Sequence, residues 1–179
     1  DAGMAMLVTH MSAAAGAFTW MCIEWIKFGK PSALGAVTGM VAGLGTITPA
    51  SGYVGPAGAL VIGVSAGFVC FTMTMFIKQK LRIDDSLDVF PVHGVGGALG
   101  TILAGVFASS SLGIFSGQGD GLPIGEQVVI QLIGVGAVGV YTAVLTFVLL
   151  KTIDLVIGLR VSEEEETDGL DINQHSERG

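Results

Sequence analysis

Five long apolar runs joined by short loops restrict what this chain can fold into more than any other feature. About 20 apolar residues in a helix cross the roughly 30 Å hydrocarbon core of a bilayer. The chain has 179 residues, of which 51% are hydrophobic and 13% charged, whereas a soluble domain carries about 25% charged residues. We therefore predict an all-α integral membrane protein. Its membrane portion (1–157) contains five transmembrane helices and precedes a polar tail (158–179); the helices are predicted over residues 4–26, 33–48, 57–77, 85–108 and 125–153.

The basic residues divide the loops into two classes. All of them lie at the end of the first, third or fifth apolar run or after it: Lys27, Lys30, Lys78, Lys80, Arg82, Lys151, Arg160 and Arg178. Loops 48–56 and 109–123 contain no lysine or arginine. Because lysine and arginine concentrate in cytoplasmic loops, this asymmetry predicts an odd number of spans, an N-terminus outside and a cytoplasmic C-terminus. The net charge of -7 comes largely from the acidic tail and argues against a nucleic acid partner.

Small residues recur at helical spacing in the second and fourth runs. Gly35, Gly39 and Gly43 are four residues apart, as are Gly96 and Gly100. This spacing lets two helix backbones approach closely in a membrane. It predicts that these two helices pack tightly within the bundle.

Residues 84–97 combine three carboxylates with a single imidazole in an apolar, glycine-rich setting. If a helix begins near Asp85, His93 lies about 12 Å along it, close to the middle of the bilayer. An ionisable side chain at that depth is a functional candidate by default. A histidine that only hydrogen-bonds a neighbouring helix is the alternative. The spacing alone does not separate a proton or substrate role from a packing role.

Asp84, Asp85 and Asp88 stand at the expected start of the fourth helix. Carboxylates there cap free backbone N–H groups and suit the positive end of the helix dipole. A cation site is the other interpretation, although three acids without further ligands are weak evidence for one. The chain has no HExxH or Walker-type motif, and its GxSxG run at 63–67 lies inside the third apolar run, where a nucleophile elbow needs a strand-to-helix turn. We therefore expect neither an enzyme nor a metal or cofactor.

Glu24 lies between Trp20 and Trp25 near the basic end of the first helix. The two tryptophans are predicted to anchor that helix at the membrane interface. Glu24 is expected to reach the interface or to meet Lys27 or a backbone donor.

Three stretches together resemble the ammonium transporter (Amt) family. The first is residues 39–54 (GMVAGLGTITPASGYV), and the second is residues 88–97 (DVFPVHGVGG). The third is residues 158–165 (GLRVSEEE), followed by Gly-Leu-Asp at 169–171 and by His175. Their order and spacing match the family across nearly the whole chain. The tail departs from it in one place, where His175 is followed by serine instead of the usual glycine.

The resemblance implies an eleven-span protein, usually a homotrimer, with one conduction pathway through each subunit. Spans one to five and six to ten form inverted repeats, a general transporter plan. This chain would supply spans seven to eleven and the cytoplasmic tail. It begins without a methionine, which agrees with the expectation of a piece of a longer protein.

By the same resemblance, His93 matches the second of two facing pore histidines, and Val89 lines the inner pore beside it. The first histidine, the outer aromatic recruitment site and the phenylalanine gate belong to the N-terminal half of the family. The resemblance implies that ammonium loses its proton near the outer face and that ammonia passes the histidine pair in a narrow apolar pore. The sequence leaves net NH₃ and net NH₄⁺ transport as alternatives.

The tail motif Gly158, Leu159 and Arg160 implies coupling between subunits and docking of a PII-type signalling protein. A solvated acidic tail is the alternative. Two other functions also remain open at this point: an ammonium sensor that signals through its tail with little flux, and a structural bundle in which His93 only packs.

Overall fold

The computed structural model describes residues 2–119 and 121–177, and all regular secondary structure among them is helical. Arg178 lies outside the described residues. The helices are α1 (Ala2–Phe28), α2 (Ala33–Ile47), α3 (Pro56–Met75), α4 (Gly96–Phe107), α5 (Ile124–Val156), α6 (Glu163–Asp168) and α7 (Leu170–His175). Phe76–Leu81 extends α3 as a π-helix, Phe90–Val95 precedes α4 as another, and Gly113–Phe115 forms a 3₁₀ turn.

Four of these helical stretches are long and apolar enough to cross a membrane: Ala2–Phe28, Pro56–Leu81, Phe90–Phe107 and Ile124–Val156. The second predicted span is a shorter apolar helix of 15 residues, Ala33–Ile47. The chain divides into two compact units, one ending at Val135 and the other beginning at Gly136. The first contains α1 to α4 and the start of α5, and the second contains the rest of α5, α6 and α7.

The prediction that the fourth helix begins at Asp85 is wrong, because the helix begins at Phe90. Asp88 has a positive φ of 56°, a left-handed conformation that an α-helix does not contain. The chain therefore cannot run as one helix from Asp85 into Phe90. The basic residues Lys78 and Lys80 lie in the helical extension of α3, which also continues further than predicted.

The glycine stripe of α2 packs against α1, as its spacing predicted. A Cβ on Gly39 would lie 2.5 Å from Cβ of Trp20, and one on Gly43 would lie 2.3 Å from the carbonyl oxygen of Ser12. The Ser12 hydroxyl also donates a hydrogen bond of 2.9 Å to the carbonyl of Gly43. The two backbones come this close because neither glycine carries a side chain.

Glu24 ties the end of α1 to the start of α2. Its carboxylate accepts hydrogen bonds from the backbone N–H of Ser32 (2.7 Å) and from the Ser32 hydroxyl (3.1 Å). Ser32 in turn is the N-cap of α2 and accepts a bond of 2.8 Å from the N–H of Gly35. Of the expected partners for Glu24, the structure therefore provides a backbone donor.

Trp20 belongs to the core of the bundle. Its side chain is only 4% exposed, and its ring meets the ring of Phe71 edge-on at 5.2 Å between centroids. The predicted interface role is therefore wrong for Trp20, because the glycine stripe of α2 leaves room for its side chain. The side chain of Trp25, by contrast, is outside the core and is 63% exposed.

Candidate functional site

His93 lies within the π-helical turn that leads into α4, and its side chain is exposed on the first unit. A Cβ on Gly45 of α2 would lie 3.9 Å from Nδ1 of His93. Gly45 is twelve residues beyond Ala33, the start of α2, which corresponds to about 18 Å along that helix. His93 therefore lies well away from the basic end of the bundle, although its own helix begins only three residues earlier.

The residues around His93 divide this turn into a packed face and an open face. Pro91 and Val92 are buried, and Val92 packs in the cluster that includes Cys70 and Phe71 of α3. Val89 and Phe90 are 52% and 60% exposed. The open face is therefore apolar apart from one imidazole.

Val89 and His93 are four residues apart and share the open face. The His93 ring makes no hydrogen bond within the part of the chain that the structure describes. Both ring nitrogens are therefore free of partners from the described residues. An imidazole in this state can donate through one nitrogen and accept through the other.

Pro91 accounts for the way the helix begins. Proline has no N–H and fits the first turn of a helix, where that donor would lack a partner. Single π-helical turns inside helices widen the local backbone and recur at functional sites. Here the turn buries Pro91 and Val92, packs Val92 against α3 and leaves His93 exposed.

Asp85 caps the helix that carries His93. Its carboxylate oxygens accept hydrogen bonds from the backbone N–H groups of Val89 (2.8 Å) and Phe90 (2.9 Å). These are two of the donors that a helix N-terminus leaves free. The geometry favours capping over a cation site, and no group of three potential metal ligands occurs among the described residues.

Asp88 forms an ion pair that the sequence did not reveal. Its Oδ1 atom lies 2.7 Å from Nζ of Lys78, and the Asp88 side chain is 16% exposed. The pair joins the helical extension of α3 to the start of the His93 helix. Together, Asp85 and Lys78–Asp88 fix where that helix begins and thus where His93 stands.

The tail motif lies in the second unit and forms its own network. Gly158 has a φ of 79° just after α5, which glycine adopts without strain. Arg160 donates from Nη2 to Oε2 of Glu166 at 2.8 Å, while Leu159 is 50% exposed. A solvated acidic tail was one interpretation of the sequence. In the structure, the Glu166 carboxylate of this acidic run pairs with Arg160.

Ser162 and Glu165 form a capping box at the start of α6. The Ser162 hydroxyl accepts from the N–H of Glu165, and the Glu165 carboxylate accepts from the N–H of Ser162. Two hydrogen bonds lower the pKa of Glu165: mainly this one from the Ser162 backbone N–H, and to a smaller extent one that the Ser162 hydroxyl donates to the same carboxylate. The side-chain bond from Arg160 lowers the pKa of Glu166. The Ser-x-x-Glu spacing was a readable signal for this cap.

The tail should lose its local order in acid. Carboxylates with a depressed pKa stabilise the folded tail above their unperturbed pKa of about 4.5 and lose that effect as the pH falls through the lowered values. Hydrogen exchange of the α6 amides should therefore be slow near neutral pH and, after correction for intrinsic rates, less protected in that acid range. A Glu165→Gln, Glu166→Gln variant should show the same weak protection at both pH values. Equal protection of the unmodified tail across the range would contradict this account.

The long apolar helices and the closely packed glycines between them identify an all-α integral membrane protein. The model of the Ammonium Transporter Family matches residues 1–179. The chain belongs to this family.

Individual relatives agree with that assignment. The chain is 45% identical over 173 residues to ammonium transporter Amt1 of Archaeoglobus fulgidus, which covers 97% of this chain and 43% of the relative. It is 43% identical to an ammonium transporter of Bacillus subtilis, with the same coverage of the two chains. This chain thus spans less than half the length of these relatives.

Solved structures show the same fold. The crystal structure of Saccharomyces cerevisiae Mep2 matches 91% of this chain and 38% of its own, with a TM-score of 0.79 and 36% sequence identity. A structure described as a sensor Amt protein matches 96% of this chain and 42% of its own, with a TM-score of 0.84 and 30% identity. The prediction of the Amt family and of its membrane fold is confirmed.

Proposed function

We propose that this chain forms the second half of an ammonium or ammonia conduction pathway. The observation that carries the proposal is His93, a lone imidazole on an open apolar face, in the segment that matches the family motif. Two relatives that match 97% of this chain are named ammonium transporters. His93 is one member of a histidine pair, and its partner comes from the part of the protein outside this chain.

The chemistry of the open face suits ammonia, the neutral form that remains after ammonium loses a proton. Moving a bare ammonium ion into an apolar lumen costs several kcal/mol, because the ion loses its hydration. Ammonia lacks that charge and needs only hydrogen-bond partners. His93 supplies one donor and one acceptor, while Val89 keeps the neighbouring wall apolar.

The surroundings of His93 support an assembled pathway in the intact protein. Val89, Phe90 and His93 are exposed on the first unit, and a face of this kind needs a cover before it can exclude water or lipid. The N-terminal half of the same polypeptide provides that cover in our proposal. Three such polypeptides assemble as a homotrimer, with one pathway in each.

The orientation and the cytoplasmic contacts extend this proposal. The loops with basic residues face the cytoplasm, so the N-terminus of this chain is outside and the tail is inside. The tail network of Gly158, Leu159 and Arg160 couples subunits and receives a PII-type signalling protein. The pairing of Arg160 with Glu166 supports this, because it gives the tail a defined shape for a partner to bind.

An ammonium sensor is the second candidate, and one observation favours keeping it. The structure described as a sensor Amt protein has the same fold over 96% of this chain. A sensor would bind ammonium at the same site and change its tail without measurable flux.

Uptake of labelled methylammonium by cells that lack their own transporter separates the two functions. Cells that express the intact protein should accumulate the label with saturable kinetics, and ammonium should compete. The control is the same strain with an equal surface amount of an unrelated multi-span protein. Absence of uptake, with the protein correctly inserted, would overturn conduction and favour the sensor.

A further inference from the structure

Gly45, in the last turn of α2, is half-buried and lies beside His93. A Cβ there would lie 3.6 Å from the carbonyl oxygen of Val92 and 3.9 Å from Nδ1 of His93. Both distances are ordinary van der Waals contacts, so an alanine would fit without displacing either helix. Gly45 is also not among the described glycines that have a positive φ. Neither the backbone conformation nor the packing of the described residues therefore requires a glycine at this position.

The other three glycines of α2 differ, because α1 occupies the space where their side chains would be. At Gly35, Gly39 and Gly43, a Cβ would lie 2.2, 2.5 and 2.3 Å from the nearest atom of α1. These glycines are required for the close approach of the two helices. Glycine is less favourable than alanine in a helix. Gly45, which packing does not require, therefore calls for a different explanation.

The helix that carries His93 shows the same division. A Cβ on Gly100 would lie 1.8 Å from the carbonyl oxygen of Thr46, and one on Gly96 would lie 2.9 Å from Oγ1 of the same residue. A Cβ on Gly97 would have no described atom within 4 Å. Gly97 is four residues beyond His93 and shares its side of the helix. The imidazole therefore has a glycine without a close contact next to it on each of the two helices.

We propose that Gly45 is a specificity-determining residue of the pathway. Because it has no side chain beside His93, it leaves the width that a small primary alkylammonium substrate needs in addition to ammonium. Gly97 extends that clearance by one turn. Methylamine differs from ammonia by one methyl group, and the side chain of alanine is also one methyl group. Gly45→Ala would thus fill about the volume by which the two substrates differ. This inference rests on the proposed function and adds its substrate class.

The ratio of methylammonium uptake to ammonium uptake by the intact protein tests the inference. Cells that lack their own transporter would receive each labelled substrate in parallel, so that the ratio of initial rates does not depend on the amount of protein. Gly45→Ala should lower this ratio about tenfold or more, because one methyl group in an apolar pocket changes discrimination by about 10–200-fold. Ammonium uptake by the same variant should be largely retained. Gly45→Val, with a larger side chain, should lower the ratio further.

Gly134→Ala is the matched control. Gly134 belongs to α5 rather than to α2 or the helix of His93, and a Cβ there would also have no described atom within 4 Å. The substitution adds the same methyl group to an apolar helix. We expect the uptake ratio of this variant to equal that of the unmodified protein.

The thermal midpoint of the purified protein separates clearance from packing. If Gly45 served only packing, Gly45→Ala would lower the midpoint and reduce the uptake of both substrates in parallel. The ratio would then stay constant, and the inference would be overturned. A constant ratio with an unchanged midpoint would overturn it as well.

Gly97→Ala tests the same clearance from the other helix and should lower the ratio in the same direction. A ratio that fell with Gly97→Ala but not with Gly45→Ala would assign the clearance to α4 and overturn the role of Gly45. Failure of the proposed function gives a different result, since the unmodified protein would then take up neither substrate. Failure of this inference alone leaves both substrates transported and the ratio insensitive to Gly45.

Discussion

Replacing Gly100 with alanine is expected to lower the thermal midpoint and the folded yield of the intact protein sharply. A Cβ at this position would lie 1.8 Å from the carbonyl oxygen of Thr46 and 2.7 Å from its carbonyl carbon. Because these atoms belong to the backbone of α2, α4 would have to move away as a unit. Overpacking of this kind costs about 1–3 kcal/mol or more. Size-exclusion chromatography after heating at a series of temperatures measures the effect.

Gly136 provides the matched control. It also lies inside an apolar helix, α5, but a Cβ there would have nothing within 4 Å. Alanine is favoured over glycine in a helix interior by roughly 0.5–1 kcal/mol, so Gly136→Ala should keep or raise the midpoint. A Gly100→Ala protein as stable as the unmodified one would show that α2 and α4 do not approach this closely.

Replacing His93 with alanine is expected to reduce methylammonium uptake by the intact protein about tenfold or more. The variant removes the polar group of the open face, and loss of one hydrogen-bonding partner in a dry site costs about 1–3 kcal/mol. Each 1.36 kcal/mol corresponds to a tenfold change in rate. Initial uptake rates at equal surface amounts of protein measure the effect.

His10 is the control for His93. It is an exposed histidine in α1, and its Nδ1 lies 3.0 Å from the carbonyl oxygen of Met6, one turn earlier in the same helix. His10→Ala therefore removes an imidazole without touching the open face. Uptake that fell equally in both variants would point to a general effect of histidine loss and would count against the assigned role of His93.

The helical framework could be predicted because apolar length is a property of the local sequence. The glycine stripe of α2 was readable for the same reason, since its spacing alone defines one face. The start of the fourth helix could not be predicted from the sequence. It depends on the left-handed Asp88 and on its pairing with Lys78, two residues brought together only by the fold.

The candidate site was predictable in part. His93 stands out in the sequence because an imidazole in an apolar run is rare and costly. Its position near Gly45 and the exposed state of Val89 follow from how α2 and α3 pack, which no local pattern encodes.

The central claim, that His93 lies in a pathway completed by the other half of the protein, is tested most directly with two separate polypeptides. Cells without their own transporter would express this chain, the N-terminal half, or both, and each set would be repeated with His93→Ala. The account predicts methylammonium uptake only when both halves are present, and a loss of about tenfold or more with His93→Ala. Uptake by assembled halves that is indifferent to His93 would contradict the claim and leave that histidine a packing role.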